Sequence, residues 1–162
     1  IYRDTVVCYS YSKSLSMPGE RIGYVCIPDT VTDSALLFAA VAGASRACGH
    51  VCAPSMMQLV IARAAALRPD LAASDQNRSL LYNALTEMGY DCVKPQGAFY
   101  MMVKSPNGDS RAFSELAKRE NQLIVPADTF GCPGFCRVST CVDPDMIRRS
   151  LPAFKKVIEE MR

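Results

Sequence analysis

The chain has 162 residues, of which 49% are hydrophobic and 21% are charged, and this composition is typical of a globular protein. Lys and Arg total 18 against 16 Asp and Glu, so the net charge of +2 lacks the basic excess of a nucleic-acid-binding protein. No apolar run reaches the roughly 18 residues of a membrane helix, since the stretch 35–42 is too short. We therefore expect neither a nucleic-acid partner nor a membrane partner.

The first part of the chain predicts two short strands followed by two helices. Residues 4–12 and 21–27 are rich in the β-branched and aromatic side chains that favour strands. Residues 33–47 have the pattern of a helix with a glycine just beyond its end, and residues 55–67 form a second helical run that lies between two prolines.

The rest of the chain predicts alternating helices and strands. In order, a helix is expected over 74–88, a strand over 98–104, a helix over 110–120, and strands over 123–126 and 136–142. A last helix has Asp143 as its N-cap and Pro144 at its first position. The apolar stripe of this helix comprises Ile147, Leu151, Phe154, Ile158 and Met161.

The eight cysteines are many for a chain of this length, and in a small secreted protein they would indicate disulfides. However, Cys8, Cys26 and Cys141 lie in strand-like apolar runs, where a free cysteine behaves as a small hydrophobic residue. The segments Cys48–Cys52 and Cys132–Cys136 lack the paired C-x-x-C spacing of a structural zinc site. We therefore expect free thiols, no metal site and a reducing, cytoplasmic location.

The segment that carries Ser10, Ser12, Lys13 and Arg21 is the most informative part of the sequence. In an extended strand the two serines would lie on one side, and the Pro18-Gly19 turn could bring Arg21 back toward them. Hydroxyl groups and a guanidinium bind phosphate well, and a lysine amine attacks aldehydes. The segment therefore predicts one place that holds a phosphate and reacts with an aldehyde.

Three runs of the sequence resemble class I and II aminotransferases, which are fold-type-I pyridoxal phosphate (PLP) enzymes. Residues 10–24 have the pattern S-x-S-K-x-x-x-x-P-G-x-R-x-G-Y, similar to the family's cofactor-lysine segment. Residues 95–100 resemble its P-x-G-x-F-Y segment, and residues 126–139 resemble its P-G-x-x-F-G…G-x-x-R-x-S segment. The last run departs from the family at Ala127, where glycine is usual. The resemblance covers nearly the whole chain.

The resemblance implies a cofactor, a reaction and a role for each site residue. Lys13 would form a Schiff base with PLP and move a proton at the substrate α-carbon. Ser10, Ser12 and Arg21 would bind the cofactor phosphate, and Arg137 would bind the substrate α-carboxylate through a bidentate contact. The implied reaction moves an amino group from an amino acid to a 2-oxo acid.

The resemblance also implies an α/β fold. Residues 1–73 would be the end of a PLP-binding large domain with a mostly parallel sheet, residues 74–89 an interdomain helix, and residues 90–162 an α+β small domain. The family carries further cofactor contacts ahead of this lysine, among them an aspartate that pairs with the pyridinium nitrogen and tunes the cofactor. We therefore expect the C-terminal portion of a homodimeric enzyme, inactive by itself.

Two alternatives share these motifs. A β-lyase or another fold-type-I PLP enzyme uses the same kind of lysine and carboxylate-binding arginine, and its products, pyruvate and ammonia, would distinguish it from an aminotransferase. The chain could also be a non-catalytic fragment that carries half a site, which a PLP titration would test.

Overall fold

The described residues, 2–162 of this computed structural model, form two units that adjoin in sequence at Pro69 and Asp70. Both units contain helices and strands, which confirms the mixed α/β class. The first unit contains β1 (Val7–Ser10), α1 (Tyr11–Ser14), a 3-10 turn (Pro18–Glu20), β2 (Gly23–Cys26), α2 (Ser34–Ala47) and α3 (Ser55–Ala64).

The two strands of the first unit pair antiparallel, with Ser10 opposite Gly23 and Val7 opposite Cys26. All strand pairs among residues 2–162 are antiparallel. The chain reverses between β1 and β2 through the short helix α1 and the 3-10 turn, whereas a parallel pair requires a longer crossover connection.

The predicted strand over residues 4–12 is wrong beyond Ser10. The side chain of Ser10 accepts a hydrogen bond from the backbone N–H of Ser12 at 3.2 Å and thereby caps α1, so the chain enters a helical turn. The second strand begins later than predicted because Arg21 adopts a left-handed conformation, with φ at 52°. Helix α3 ends at Ala64, three residues before the predicted Leu67.

Much of the apolar surface of the first unit is exposed. Every residue of β1 and β2 is exposed, and α2 buries none of its residues. Leu36 and Phe38 of α2 are 71% and 66% exposed. Exposed apolar surface of this extent is typical of surfaces that bind other protein segments.

The second unit packs three helices with a three-stranded antiparallel sheet. Its elements are α4 (Leu71–Glu87), β3 (Tyr100–Lys104), α5 (Ser110–Arg119), β4 (Val125–Pro126), a 3-10 turn (Asp128–Phe130), β5 (Phe135–Ser139) and α6 (Pro144–Met161). The strand order is β3-β5-β4. The predicted alternation of helices and strands is confirmed, although each strand is shorter than predicted.

Local caps explain where several of these elements begin. Helix α4 begins before the predicted Ser74 because the Asp70 carboxylate accepts a hydrogen bond from the Ala73 N–H at 2.9 Å. Strand β3 begins at Tyr100, after Ala98 has adopted a positive φ of 55°. Asp143 caps α6 as predicted, with Pro144 in the first turn.

The core of the second unit lies where α6 packs against α4 and α5, and where α5 packs against β4 and β5. Its most deeply buried side chains are Leu81, Leu85, Met101, Val103, Phe113, Cys136 and Val157. The Tyr90 hydroxyl donates a hydrogen bond to the Phe154 carbonyl at 2.8 Å within this core, and burial raises the pKa of Tyr90. The second unit therefore has a hydrophobic core of its own.

Candidate active site

The end of β1 gathers three of the predicted site residues. The Ser10 hydroxyl donates to the Ser12 hydroxyl at 2.9 Å, and Lys13 follows as an exposed residue of α1. The two hydroxyls are therefore neighbours, but the helix cap brings them together, not the strand alternation that we predicted. Lys13 lies one residue beyond this pair of hydroxyls.

The strand pairing brings Arg21 to the same end of the ladder. Beyond the last paired residues, the Tyr11 N–H donates to the Ile22 carbonyl at 3.2 Å. This bond holds the residue next to Arg21 against the start of α1, and α1 also contacts the 3-10 turn that precedes Arg21. The Arg21 Nη1 donates to the Pro18 carbonyl at 2.6 Å, so the turn and the arginine support each other. The Pro18-Gly19 turn thus returns the chain toward the serines.

Gly23 and a tyrosine cluster fix this register. A Cβ at Gly23 would lie 2.4 Å from the carbonyl oxygen of Tyr9, so no larger residue fits opposite Ser10. The rings of Tyr9 and Tyr24 stack at 5.3 Å, and Tyr11 meets Tyr9 edge-on at 5.1 Å. Such aromatic pairs stabilise paired strands by about 0.5–1.5 kcal/mol each. We did not predict this cluster, although aromatic residues on two neighbouring predicted strands indicate that their rings could be in contact.

Ser14 is a further polar residue that sequence reasoning missed. Its Oγ is buried and has no hydrogen-bond partner among residues 2–162. Buried hydroxyls are nearly always hydrogen-bonded, so an unpaired one beside Lys13 indicates a position where a bound polar group would be accepted.

In the second unit, Arg137 lies on β5 opposite Met102 of β3, and its side chain is half-buried. Its guanidinium carbon lies 4.3 Å from the ring centroid of Tyr100 and 4.3 Å from that of Phe130. Tyr100 is two residues from Met102, so it lies on the same face of the sheet as Arg137. The guanidinium forms no ion pair with any carboxylate of residues 2–162.

The 3-10 turn before β5 places Phe130 against Arg137. The Ala127 N–H donates to the Phe135 carbonyl at 2.8 Å and ties the turn to β5. Ala127 has a φ of −98°, which any residue adopts, so the absence of the usual glycine leaves the turn intact. Gly131 closes the turn at a φ of 77°, where glycine is favoured. Sequence reasoning identified Arg137 but missed both of its aromatic neighbours.

The first unit thus has a lysine and an arginine near a pair of hydroxyls, and the second unit has an arginine in contact with two aromatic rings. Residues 2–154 match the model of the family described as aminotransferase class I and II. The chain belongs to this family, which confirms the resemblance inferred from its motifs.

Among curated relatives, the chain is similar to aromatic-amino-acid aminotransferase 2 of Thermococcus litoralis, with 26% identity over all of this chain and 43% of that protein. It is also 28% identical to an aspartate aminotransferase of Bacillus subtilis, over 96% of this chain and 42% of the relative. The chain thus spans about two fifths of the length of these relatives.

Solved structures show the same fold. An amino transferase from Eubacterium rectale matches 99% of this chain and 40% of its own length, with a TM-score of 0.88 and 57% identity. The aspartate aminotransferase of Thermotoga maritima matches 95% of this chain with a TM-score of 0.80 and 25% identity.

Across residues 2–162, no helix has both the length and the apolar character needed to cross a membrane. The same residues contain no cluster of three or more His, Cys, Asp or Glu side chains that could hold a metal ion.

Proposed function

We propose that this chain is part of a PLP-dependent aminotransferase that moves an amino group from an amino acid to a 2-oxo acid. One observation carries the proposal: in a chain of this family, the β1–β2 register gathers Ser10, Ser12, Lys13 and Arg21 at one end of the ladder. The names of its relatives, which are aspartate and aromatic aminotransferases, favour amino transfer over the β-lyase alternative.

The residues present fit PLP. The Ser10 and Ser12 hydroxyls and the guanidinium of Arg21 are donors suited to a phosphate, and Lys13 supplies an amine that can react with an aldehyde. The unpaired, buried Ser14 hydroxyl adds one more donor beside Lys13. When bound, PLP supplies an electron sink for the substrate α-carbon.

In the first unit, Arg21 would bind the cofactor phosphate, and Lys13 would bind the cofactor and transfer a proton. The Nη1 of Arg21 is engaged by the Pro18 carbonyl, which fixes the guanidinium and leaves its other nitrogens to donate to a phosphate. Lys13 Nζ would hold the cofactor until substrate arrives, and would then move a proton between the substrate α-carbon and the cofactor.

Arg137 would bind the α-carboxylate of the substrate. Its guanidinium is half-buried, forms no ion pair within residues 2–162, and lies against two aromatic rings. The rings support the cation through their π faces and limit its rotation. A planar, held guanidinium fixes the plane of a carboxylate through two parallel hydrogen bonds, which orients the α-carbon of an amino acid.

We further propose the organisation and setting of the whole protein. Residues 1–73 would complete a cofactor-binding domain, residues 74–89 would form an interdomain helix, and residues 90–162 would form the small domain. The whole protein would be a cytoplasmic homodimer that binds one amino acid and one 2-oxo acid in turn. Light scattering of the purified protein tests the dimer, and a monomeric mass would contradict it.

The identity of the cofactor-bearing lysine is the sharpest test of the proposed function. Borohydride reduction of the PLP-loaded whole protein fixes the cofactor on the lysine that carries it, and peptide mapping then identifies this lysine. We expect the label on Lys13. Lys13→Ala and Lys13→Arg should both abolish amino transfer, since neither side chain can react with the aldehyde. A label on Lys94 or Lys104 would refute the assignment.

A further inference from the structure

Ser110 is a buried polar residue of the second unit that forms hydrogen bonds with two other elements. It is the first residue of α5, and only 3% of it is exposed. Its hydroxyl donates to the carboxylate of Asp128, and its backbone carbonyl accepts a hydrogen bond from the thiol of Cys136 at 3.1 Å. Ser110 therefore joins the 3-10 turn that carries Phe130 to the strand that carries Arg137.

Ser110 provides the side-chain anchor of the turn at Asp128, beside backbone hydrogen bonds from Gly134 to the Asp128 carboxylate and from Gly131 to the Asp128 carbonyl. Asp128, Thr129 and Phe130 are all exposed, and Phe130 is 51% exposed. The Ser110 hydrogen bond is the main reason that the pKa of Asp128 lies below its usual value, with smaller contributions from the backbone N–H groups of Asp128 and Gly134 and from the charge of Arg111. Asp128 is therefore an anionic acceptor at neutral pH, and hydrogen bonds to charged acceptors are stronger than neutral ones.

We propose that the Ser110–Asp128 hydrogen bond holds the turn so that the Phe130 ring lies against the Arg137 guanidinium. Ser110 and Asp128 are then positioning residues for carboxylate binding, and they touch neither the substrate nor the cofactor. The inference rests on the proposed role of Arg137. Affinity for the substrate would then also depend on Ser110 of α5 and on Asp128, although neither residue binds the substrate.

The physical reason is pre-organisation. A free arginine side chain samples many rotamers, and ordering it when the substrate binds weakens binding. A ring held at 4.3 Å restricts the guanidinium before the carboxylate arrives. The carboxylate contact is present in both the bound substrate and the transition state, so losing the pre-organisation raises KM and leaves kcat nearly unchanged.

Four variants test the proposal. Asp128→Ala removes the acceptor at an exposed position, and Asp128→Asn keeps an oxygen that accepts from Ser110. Ser110→Ala removes the donor. Asp109→Ala is the matched control, since Asp109 caps the same helix through the Arg111 and Ala112 N–H groups and does not touch the turn.

The first measurement needs no substrate. In the 162-residue chain, the NMR resonance of the Arg137 Nε–H group reports the nearby aromatic rings, and its absence in Arg137→Lys assigns it. We expect it to move toward the position of a free arginine in Asp128→Ala and Ser110→Ala, and to stay in place in Asp128→Asn and Asp109→Ala.

The second measurement is steady-state kinetics of the whole protein. We expect KM for the amino acid and for the 2-oxo acid to rise about three- to tenfold in Asp128→Ala and Ser110→Ala, with kcat within about twofold. Unchanged resonance and KM in these two variants, or an equal effect of Asp109→Ala, would overturn the proposal. Arg137→Ala tests the carboxylate contact itself, so failure of the proposed function is distinguishable from failure of this inference.

Discussion

Replacing Arg137 by alanine removes the guanidinium that lies 4.3 Å from the Tyr100 and Phe130 ring centroids. Truncating one partner of a buried, hydrogen-bonded charge pair costs about 2–5 kcal/mol. Because Arg137 is half-buried, water can partly replace the lost contact, and we expect the lower part of this range, about 2–3.5 kcal/mol. At about 1.4 kcal/mol per factor of ten, kcat/KM should fall about 30- to 300-fold for every amino acid substrate.

The assay is steady-state kinetics of the whole protein with several amino acids and their 2-oxo acids, together with PLP content measured by absorbance. The loss should be similar across substrates, since all of them share the α-carboxylate, and the PLP content should change little. Arg148→Ala is the matched control in the same unit. Arg148 is 59% exposed and pairs with Asp145 at 2.6 Å on the surface of α6, where an ion pair contributes little, so its kinetics should match the wild type.

Arg21→Ala provides the reciprocal variant, because Arg21 lies at the Ser10 end of the β1–β2 ladder. Its loss should weaken PLP retention on dialysis first, while KM at saturating PLP changes less. An Arg137→Ala protein with normal KM values, or one that loses PLP as readily as Arg21→Ala, would refute the reasoning.

Two further predictions concern the stability of the second unit. Leu85 is fully buried, so Leu85→Ala should lower the free energy of unfolding, measured by urea denaturation, by about 2–5 kcal/mol. Leu71 lies on the same helix and is 70% exposed, so Leu71→Ala should change this free energy by less than about 0.5 kcal/mol. Equal effects of the two substitutions would contradict the burial of Leu85 in the core. Burial raises the pKa of Cys92 and of Cys136 from 9.0 to about 11, and that of Tyr90 above 10.0. The unfolded chain therefore releases these protons at lower pH than the folded chain, and the stabilisation that is present below about pH 9 is lost as the pH rises toward 11. A urea midpoint that stays constant over this window would contradict the prediction, and Tyr90→Phe should make the decline shallower.

The local predictions succeeded where the physical cause is itself local. The sequence correctly predicted the Asp143 cap of α6, the proline in its first turn, and its apolar stripe with Ile147 and Phe154. Helix caps and helical periodicity involve residues within a few positions of one another, so they can be predicted from the sequence. The strand predicted through Ser12 failed for a related reason. A serine can continue a strand or cap a helix, and the cap prevailed here because Ser10 binds the Ser12 N–H.

The sequence by itself determined the family and the residues that we propose for the site, since Lys13, Arg21 and Arg137 lie in motifs with fixed spacing. Only the tertiary structure decided what surrounds these residues. The contact of Arg137 with Tyr100 depends on the register of β3 against β5, and the bond between Ser110 and Asp128 joins residues that are 18 positions apart. Such contacts join residues that are far apart along the chain, and they form only when whole elements pack against one another.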